Sequence, residues 1–200
     1  MEGGKLSALD FRNLLEGSYS GKKKYGDFVL DKELSTKTSK VYVNPQTNKA
    51  VVAHKGTEGM SDWYNNAVYT MGGIKQYKKT DRYKEARDVQ NKAFDKYGNQ
   101  NISTIGHSQG GLQADLLGRR GYETITYNKP GIRKIKGLHD NYNVRTSLDP
   151  ISYLGSNESY LTVPSKSYNP IKEHSISELK GLDKNLQIGR GMYKFRYTRL

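Results

Sequence analysis

The sequence predicts an α/β protein in which a mostly parallel central sheet is flanked by helices in one compact domain spanning residues 1–200. Three observations carry that expectation. Short β-prone runs alternate with helical patterns in the order strand, helix, strand, helix, strand, the signature of right-handed crossovers in a parallel sheet. The chain has 200 residues, room for one well-filled core and little for two. Its 21 glycines, 16 tyrosines and regularly spaced Val, Ile and Leu runs argue for close packing, although the mean hydropathy is −0.86. Tyrosine contributes much of the burial, offering a large apolar body with a polar tip. No internal repeat and no linker divides the chain.

Leu6, Leu9, Phe11, Leu14 and Leu15 recur at near-helical spacing and predict a helix over residues 5–16, closed by Gly17. Residues 18–26 read as a loop. Two strands follow at residues 40–43 and 49–54, joined as a hairpin through Asn44-Pro45-Gln46-Thr47-Asn48. The strongest helix spans residues 81–97. Tyr83, Ala86, Val89, Gln90, Ala93, Phe94 and Tyr97 form one stripe there, Thr80 can cap its start, Asp81 suits its positive end and Gly98 stops it. A strand at 101–105, a helix at 109–119 broken by Gly121, and a strand at 122–127 complete the alternation. Beyond Lys129-Pro130-Gly131 the chain is rich in loops, with one alternating run at 144–148 that ends at Asp149-Pro150.

The formal net charge is +13 and the isoelectric point about 9.6, so the surface attracts anions: nucleic acid, acidic lipid head groups or acidic proteins. The excess is spread over Lys22-Lys23-Lys24, residues 75–84, residues 133–136 and a tail carrying Arg190, Lys194, Arg196 and Arg199. There is no cysteine, which excludes disulfides and thiolate metal sites and fits a reducing compartment. Met1-Glu2-Gly3-Gly4-Lys5-Leu6 has no apolar h-region, and no apolar run approaches membrane-spanning length. The expectation is a soluble, intracellular or particle-associated protein, with no signal peptide or transmembrane segment, whose contact with an anionic membrane surface is peripheral.

Gly106-His107-Ser108-Gln109-Gly110 sits between a predicted strand and a predicted helix. A sharp turn there points the serine away from the backbone and leaves it exposed, while the flanking glycines remove the Cβ atoms that would collide. That context reads as the nucleophile elbow of an α/β-hydrolase. No P-loop and no Gly-x-Gly-x-x-Gly dinucleotide pattern is present. A serine hydroxyl needs a base within hydrogen-bond reach, itself oriented by a carboxylate. The chain order on such a fold is Ser, acid, His, which leaves His139 and His174 as candidate bases after Ser108. Asp149, at the end of a strand-like run, with His174 is the preferred pair; His139-Asp140 is the rival. Ser175-Ile176-Ser177-Glu178 is a capping box, so a short helix should begin just after His174 and hold it in the loop before. His107 inside the elbow diverges from Ser108 and reads as a packing or hydrogen-bonding residue. A backbone N–H near Ala53-His54-Lys55-Gly56-Thr57, with that of Gln109, is a candidate oxyanion hole, each donor typically worth roughly 2.7–4 kcal/mol.

His54-Lys55-Gly56-Thr57, then Asp62-Trp63 and Asn66, then Gly106-His107-Ser108-Gln109-Gly110-Gly111, together resemble the class 3 (fungal-type) lipases over residues 50–120. The resemblance implies an α/β-hydrolase core, acyl-ester hydrolysis, no cofactor and no metal, Thr57 as the oxyanion residue, and a lid within residues 67–77. Lys55 stands where that family usually has Arg, and Asn66 where Asp is common. The function expected is a serine carboxylic-ester hydrolase acting on acylglycerol or phospholipid through Ser108, Asp149 and His174, with Thr57 and Gln109 binding the oxyanion. The alternative is a basic binding or scaffold protein that kept a hydrolase fold. It would contact nucleic acid or acidic partners through Met192-Tyr193-Lys194-Phe195-Arg196-Tyr197, which interleaves cations with aromatics.

Overall fold

The computed structural model describes residues 5–57, 73–119, 122–130, 141–153, 161–180, 186–187 and 194–195. The first helix, α1, spans Ala8–Ser20, with Ser7 capping it by accepting the Asp10 N–H and Gly21 closing it in the left-handed region at φ 64°. It runs through Gly17, where the sequence reading ended it. A Cβ at Gly17 would come within 2.7 Å of both Tyr25 and Tyr42, so this glycine lets the helix approach the sheet rather than stop. Of residues 18–26, read as a loop, 18–20 belong to α1 and Lys24–Tyr25 forms β1, which pairs as a small hairpin with β2 (Phe28–Asp31).

β3 (Ser39–Asn44) and β4 (Lys49–His54) form the expected antiparallel hairpin, with Asn48 at φ 57° in its turn. A helical turn, α2 (Ile74–Tyr77), precedes α3 (Asp81–Tyr97), whose bounds match the sequence expectation. Thr80 caps α3 by accepting the Tyr83 N–H at 3.3 Å, and its buried stripe includes Tyr83, Ala86, Val89, Gln90, Ala93 and Phe94. Then come β5 (Ile102–His107), α4 (Gln109–Leu117) and β6 (Thr124–Tyr127). α4 ends at Gly118, not Gly121, because the Gly118 N–H closes the last turn on the Ala114 carbonyl. The remaining main-sheet strands are β7 (Asn141–Thr146) and β8 (Leu161–Val163), with the short α5 (Pro150–Tyr153) between them. α6 (Pro170–His174) and a 3-10 turn (Ile176–Leu179) follow. β9 (Leu186–Gln187) pairs with β10 (Lys194–Phe195) apart from the main sheet.

The eight main strands lie side by side in chain order, antiparallel from β1 to β4 and parallel from β4 to β8. This is the mostly parallel, α/β-hydrolase-like sheet that the sequence predicts. When order in the sheet follows order in the chain, right-handed crossovers put successive helices on one face. Accordingly α3 packs on Val41, Ala50, Val52 and Ile102, while Phe11, Leu14 and Leu15 of α1 cover Tyr42, Val51, Ala53, Ile105 and Ile125 on the other. β4 contributes to both cores by strict alternation, which explains its continuous apolar run. The carboxyl ends of β4, β5, β7 and β8 all open on one edge, where open α/β sheets bind their ligands. Among the described residues, no helix is long and apolar enough to cross a membrane.

Candidate active site

Ser108 lies between β5 and α4 with φ 54° and ψ −126°, a conformation that L-residues rarely adopt. Two glycines make the turn possible. A Cβ at Gly106 would fall 2.1 Å from the Gly110 carbonyl oxygen, and one at Gly110 would fall 2.1 Å from that of His54. The Ser108 N–H reaches across to the Tyr127 carbonyl at 2.9 Å and its own carbonyl accepts the Leu112 N–H, so strand and helix both anchor it. Contrary to the sequence expectation, the serine is not exposed: it is 3% accessible. The turn does project the side chain, but towards His174, which covers it.

His174 and Asp149 converge on that side chain. Nε2 of His174 is 2.8 Å from Oγ of Ser108, and Nδ1 is 2.7 Å from Oδ1 of Asp149. A carboxylate only accepts, so Nδ1 carries the proton and Nε2 is left to accept from the serine hydroxyl. His174 is 6% accessible and Asp149 fully buried. Asp149 also receives the N–H groups of Ile151 and Ser152, at 3.3 and 3.1 Å, and so caps α5. His174 is the last residue of α6, not a loop residue. The capping serine, Ser175, does start the turn that follows by accepting the Ser177 N–H. Chemically, the arrangement can take a proton from the serine while the carboxylate holds the ring and stabilises its charged form.

At the end of β4, Thr57 lies beside the elbow, its Oγ1 donating to Oε1 of Gln109 at 3.1 Å. The preceding backbone is pinned by Arg82 of α3, whose Nη2 donates to the carbonyls of Lys55 and Gly56 at 2.6 and 3.0 Å. A guanidinium therefore does reach this strand end, although it comes from a neighbouring helix and position 55 itself is Lys. Among the described residues, no cluster of three or more His, Asp or Glu side chains is arranged to hold a metal ion.

The sequence reading missed two residues that hold this site together. Asn128, fully buried at φ 45° just beyond β6, accepts the Thr146 N–H at 2.9 Å and donates to the Glu173 carbonyl at 2.7 Å. It thus joins the strand end before Asp149 to the turn that carries His174. Only its place after a β-run, as an Asn tolerant of positive φ, hints at this role. Tyr19 of α1 is the other, with its hydroxyl 2.5 Å from Nδ1 of His107; nothing in its own segment of sequence signals it. His107 does act as a hydrogen-bonding residue, as its place in the elbow suggests: its Nε2 donates to the His174 carbonyl at 2.7 Å. Asp62, Trp63, Asn66, the rival His139-Asp140 and most of the tail lie outside the described residues. So do residues 67–72 of the candidate lid. Its described end is anchored, with Tyr77 buried against Tyr83 and Leu112.

Comparisons with known proteins bear on the family and the fold. The family model of the Tle-like phospholipase domain matches residues 19–146. No curated protein sequence is significantly similar to the chain. Among solved structures, the Lip2 lipase from Yarrowia lipolytica is similar over 82% of this chain and 80% of its own, at 11% identity and a TM-score of 0.52. The Rhizomucor miehei lipase in its propeptide complex is similar over 72% of this chain, at 13% identity and a TM-score of 0.50. A deletion mutant of that lipase complex covers 78% of this chain at 12% identity, with a TM-score of 0.56. The chain spans 61% and 65% of those two Rhizomucor lipase chains, under two thirds of each. At such identities the likeness is one of fold, and the fold is that of the fungal class 3 lipases expected from the elbow and the strand end before it. The family match itself runs from Tyr19 through the elbow to Thr146 at the end of β7, and by it the chain belongs to the Tle-like phospholipase domains.

Proposed function

We propose that the chain is a serine carboxylic-ester hydrolase acting on phospholipid or acylglycerol. In this reading Ser108 Oγ attacks the acyl carbonyl carbon as its proton passes to Nε2 of His174. The backbone N–H groups of Thr57 and Gln109 receive the oxyanion of the tetrahedral intermediate. Collapse expels the alcohol, which takes the proton from His174 and leaves an acyl-Ser108 ester. Water then attacks that ester and yields its proton to His174, which passes it to Ser108 Oγ as the carboxylic acid departs, so that both side chains return to their starting forms. Asp149 holds the ring tautomer throughout. Basic residues would keep the protein near anionic lipid, at about 1 kcal/mol for each one close to the surface.

The observation that carries this reading is the continuous hydrogen-bonded series from Ser108 through His174 to Asp149, with its serine on a positive-φ elbow. Membership of a phospholipase-like family supports the lipid-ester substrate class. The test is labelling with a fluorophosphonate and mapping the modified peptide, alongside fatty-acid release from phospholipid vesicles and from triacylglycerol emulsions. Modification at Ser108, with release abolished in Ser108→Ala and in His174→Ala, is expected, while His139→Ala keeps its activity. Modification elsewhere, or turnover retained in Ser108→Ala, would sink the assignment.

A further inference from the structure

His107 stands inside the elbow beside Ser108, and Tyr19 comes from α1, which covers one face of the sheet. Their hydrogen bonds form one directed series. The Gly56 N–H donates to Tyr19 Oη at 2.8 Å, the Tyr19 hydroxyl lies 2.5 Å from His107 Nδ1, and His107 Nε2 lies 2.7 Å from the His174 carbonyl oxygen. The direction is set by the ends. A backbone N–H can only donate and a backbone carbonyl can only accept. Facing a carbonyl, His107 must carry its proton on Nε2, and Nδ1 of the neutral ring then accepts the Tyr19 hydroxyl proton. Burial, and next the neighbouring His174, push the His107 pKa down to about 3, so the ring stays neutral and keeps that tautomer.

We propose that Tyr19 and His107 are positioning residues that tie the oxyanion strand end to the base, so that Thr57 and His174 keep a common register about Ser108. Both ends of the series touch residues of the reacting site through the backbone. Gly56 directly precedes Thr57, and the carbonyl held by His107 belongs to His174 itself. A loop end and a short helix from opposite sides of the nucleophile would otherwise be set independently. Misplacement of a catalytic group by about 1 Å can cost on the order of 100-fold in rate. The tie acts on the transition state, where oxyanion donor and base work together, and hardly at all on substrate binding.

The role rests on the proposed Ser108–His174 chemistry, and the experiment separates the two. Wild type, Tyr19→Phe, His107→Gln and His107→Leu are compared on a soluble short-chain ester and by rate of fluorophosphonate labelling. Tyr19→Phe removes only the hydroxyl; kcat should fall about tenfold with KM within about twofold, and labelling should slow yet still reach completion. Glutamine can donate to the His174 carbonyl and accept from Tyr19, so His107→Gln should recover most of the activity that His107→Leu loses. In protein labelled with 15N-histidine, His107 should show a protonated Nε2 and an accepting Nδ1 from pH 8 to pH 4, with the Nδ1 resonance displaced in Tyr19→Phe. An active wild type with unchanged kcat in Tyr19→Phe would overturn the tie, as would a His107→Gln variant no better than His107→Leu. A wild type that neither turns over ester nor takes the label would overturn the hydrolase reading, and the tie's catalytic role with it.

Discussion

Asp149 holds His174 and its own helix with one carboxylate: Oδ1 lies 2.7 Å from Nδ1 of His174, and the same group caps the helix that begins at Pro150. One buried side chain therefore orients the His174 ring and fixes its own loop. Asp149→Asn should lower kcat on the order of 10³–10⁴-fold, because the amide can stabilise neither the tautomer nor the charged ring. Stability should fall by about 1 kcal/mol, because the amide nitrogen cannot accept the N–H of Ile151 or Ser152 that one carboxylate oxygen now receives. Ester turnover and urea denaturation measure the two effects separately. A variant with near wild-type kcat would remove Asp149 from the mechanism.

The elbow holds Ser108 at φ 54° and ψ −126°, in a region that glycine enters freely and other residues enter at a cost. Ser108→Gly and Ser108→Ala both lose the hydroxyl, so comparing them isolates the backbone. The glycine variant should be more stable by about 1 kcal/mol, the strain relieved exceeding the extra entropy of the unfolded chain. Both should be inactive. Equal midpoints in chemical denaturation would mean that the turn is unstrained.

Gly110→Ala should be among the most damaging single substitutions in the protein. Its Cβ, on the first turn of α4, would meet the His54 carbonyl at 2.1 Å, and that partner is backbone at the end of β4, which has no side-chain freedom to swing aside. A loss above about 4 kcal/mol is expected, enough to prevent accumulation of folded protein. Soluble yield and thermal melting test it. A folded, active Gly110→Ala would show that α4 can slide away from β4.

His54 and His107 are buried neutral rings, their pKa values pushed down to about 4 and about 3, in each case chiefly by burial. His54 is also fully hydrogen-bonded, between Ser39 at 2.8 Å and Gln90 at 3.1 Å. The unfolded chain takes up these two protons near pH 6.5, while the folded chain refuses them until about pH 4 or below. Stability is thus present above pH 6.5 and is lost as pH falls towards 4, each ring contributing up to about 1.4 kcal/mol per pH unit. His54→Gln should flatten the slope by the equivalent of one proton between pH 6.5 and 4. Denaturation across that range measures it. An unchanged slope would mean that His54 is charged in the folded protein.

Local chemistry written along the chain settled the elements that stand on it. α3 begins at a capping Thr80 and ends at Gly98 because cap, stripe and stop all act within a few residues. β4 shows in its unbroken apolar run, and the elbow shows in glycines that flank a serine between strand and helix. The order Ser108, Asp149, His174 followed from the topology expected around that elbow, with His139 left as the competitor.

What depended on distant segments stayed hidden. Gly17 reads as a helix stop until Tyr25 and Tyr42 are seen pressing on it, and then it is the place where α1 comes closest to the sheet. The pairing of Lys24–Tyr25 with Phe28–Asp31 is too short to leave a periodic signal. Ser108 reads as exposed because the turn projects its side chain, yet the direction of projection leads under His174, 66 residues away in the chain. Tyr19, His107 and Asn128 are ordinary letters in the sequence. Each acts through a carbonyl or N–H of a segment brought near only by the assembled sheet, and backbone groups carry no residue identity by which a sequence could announce them.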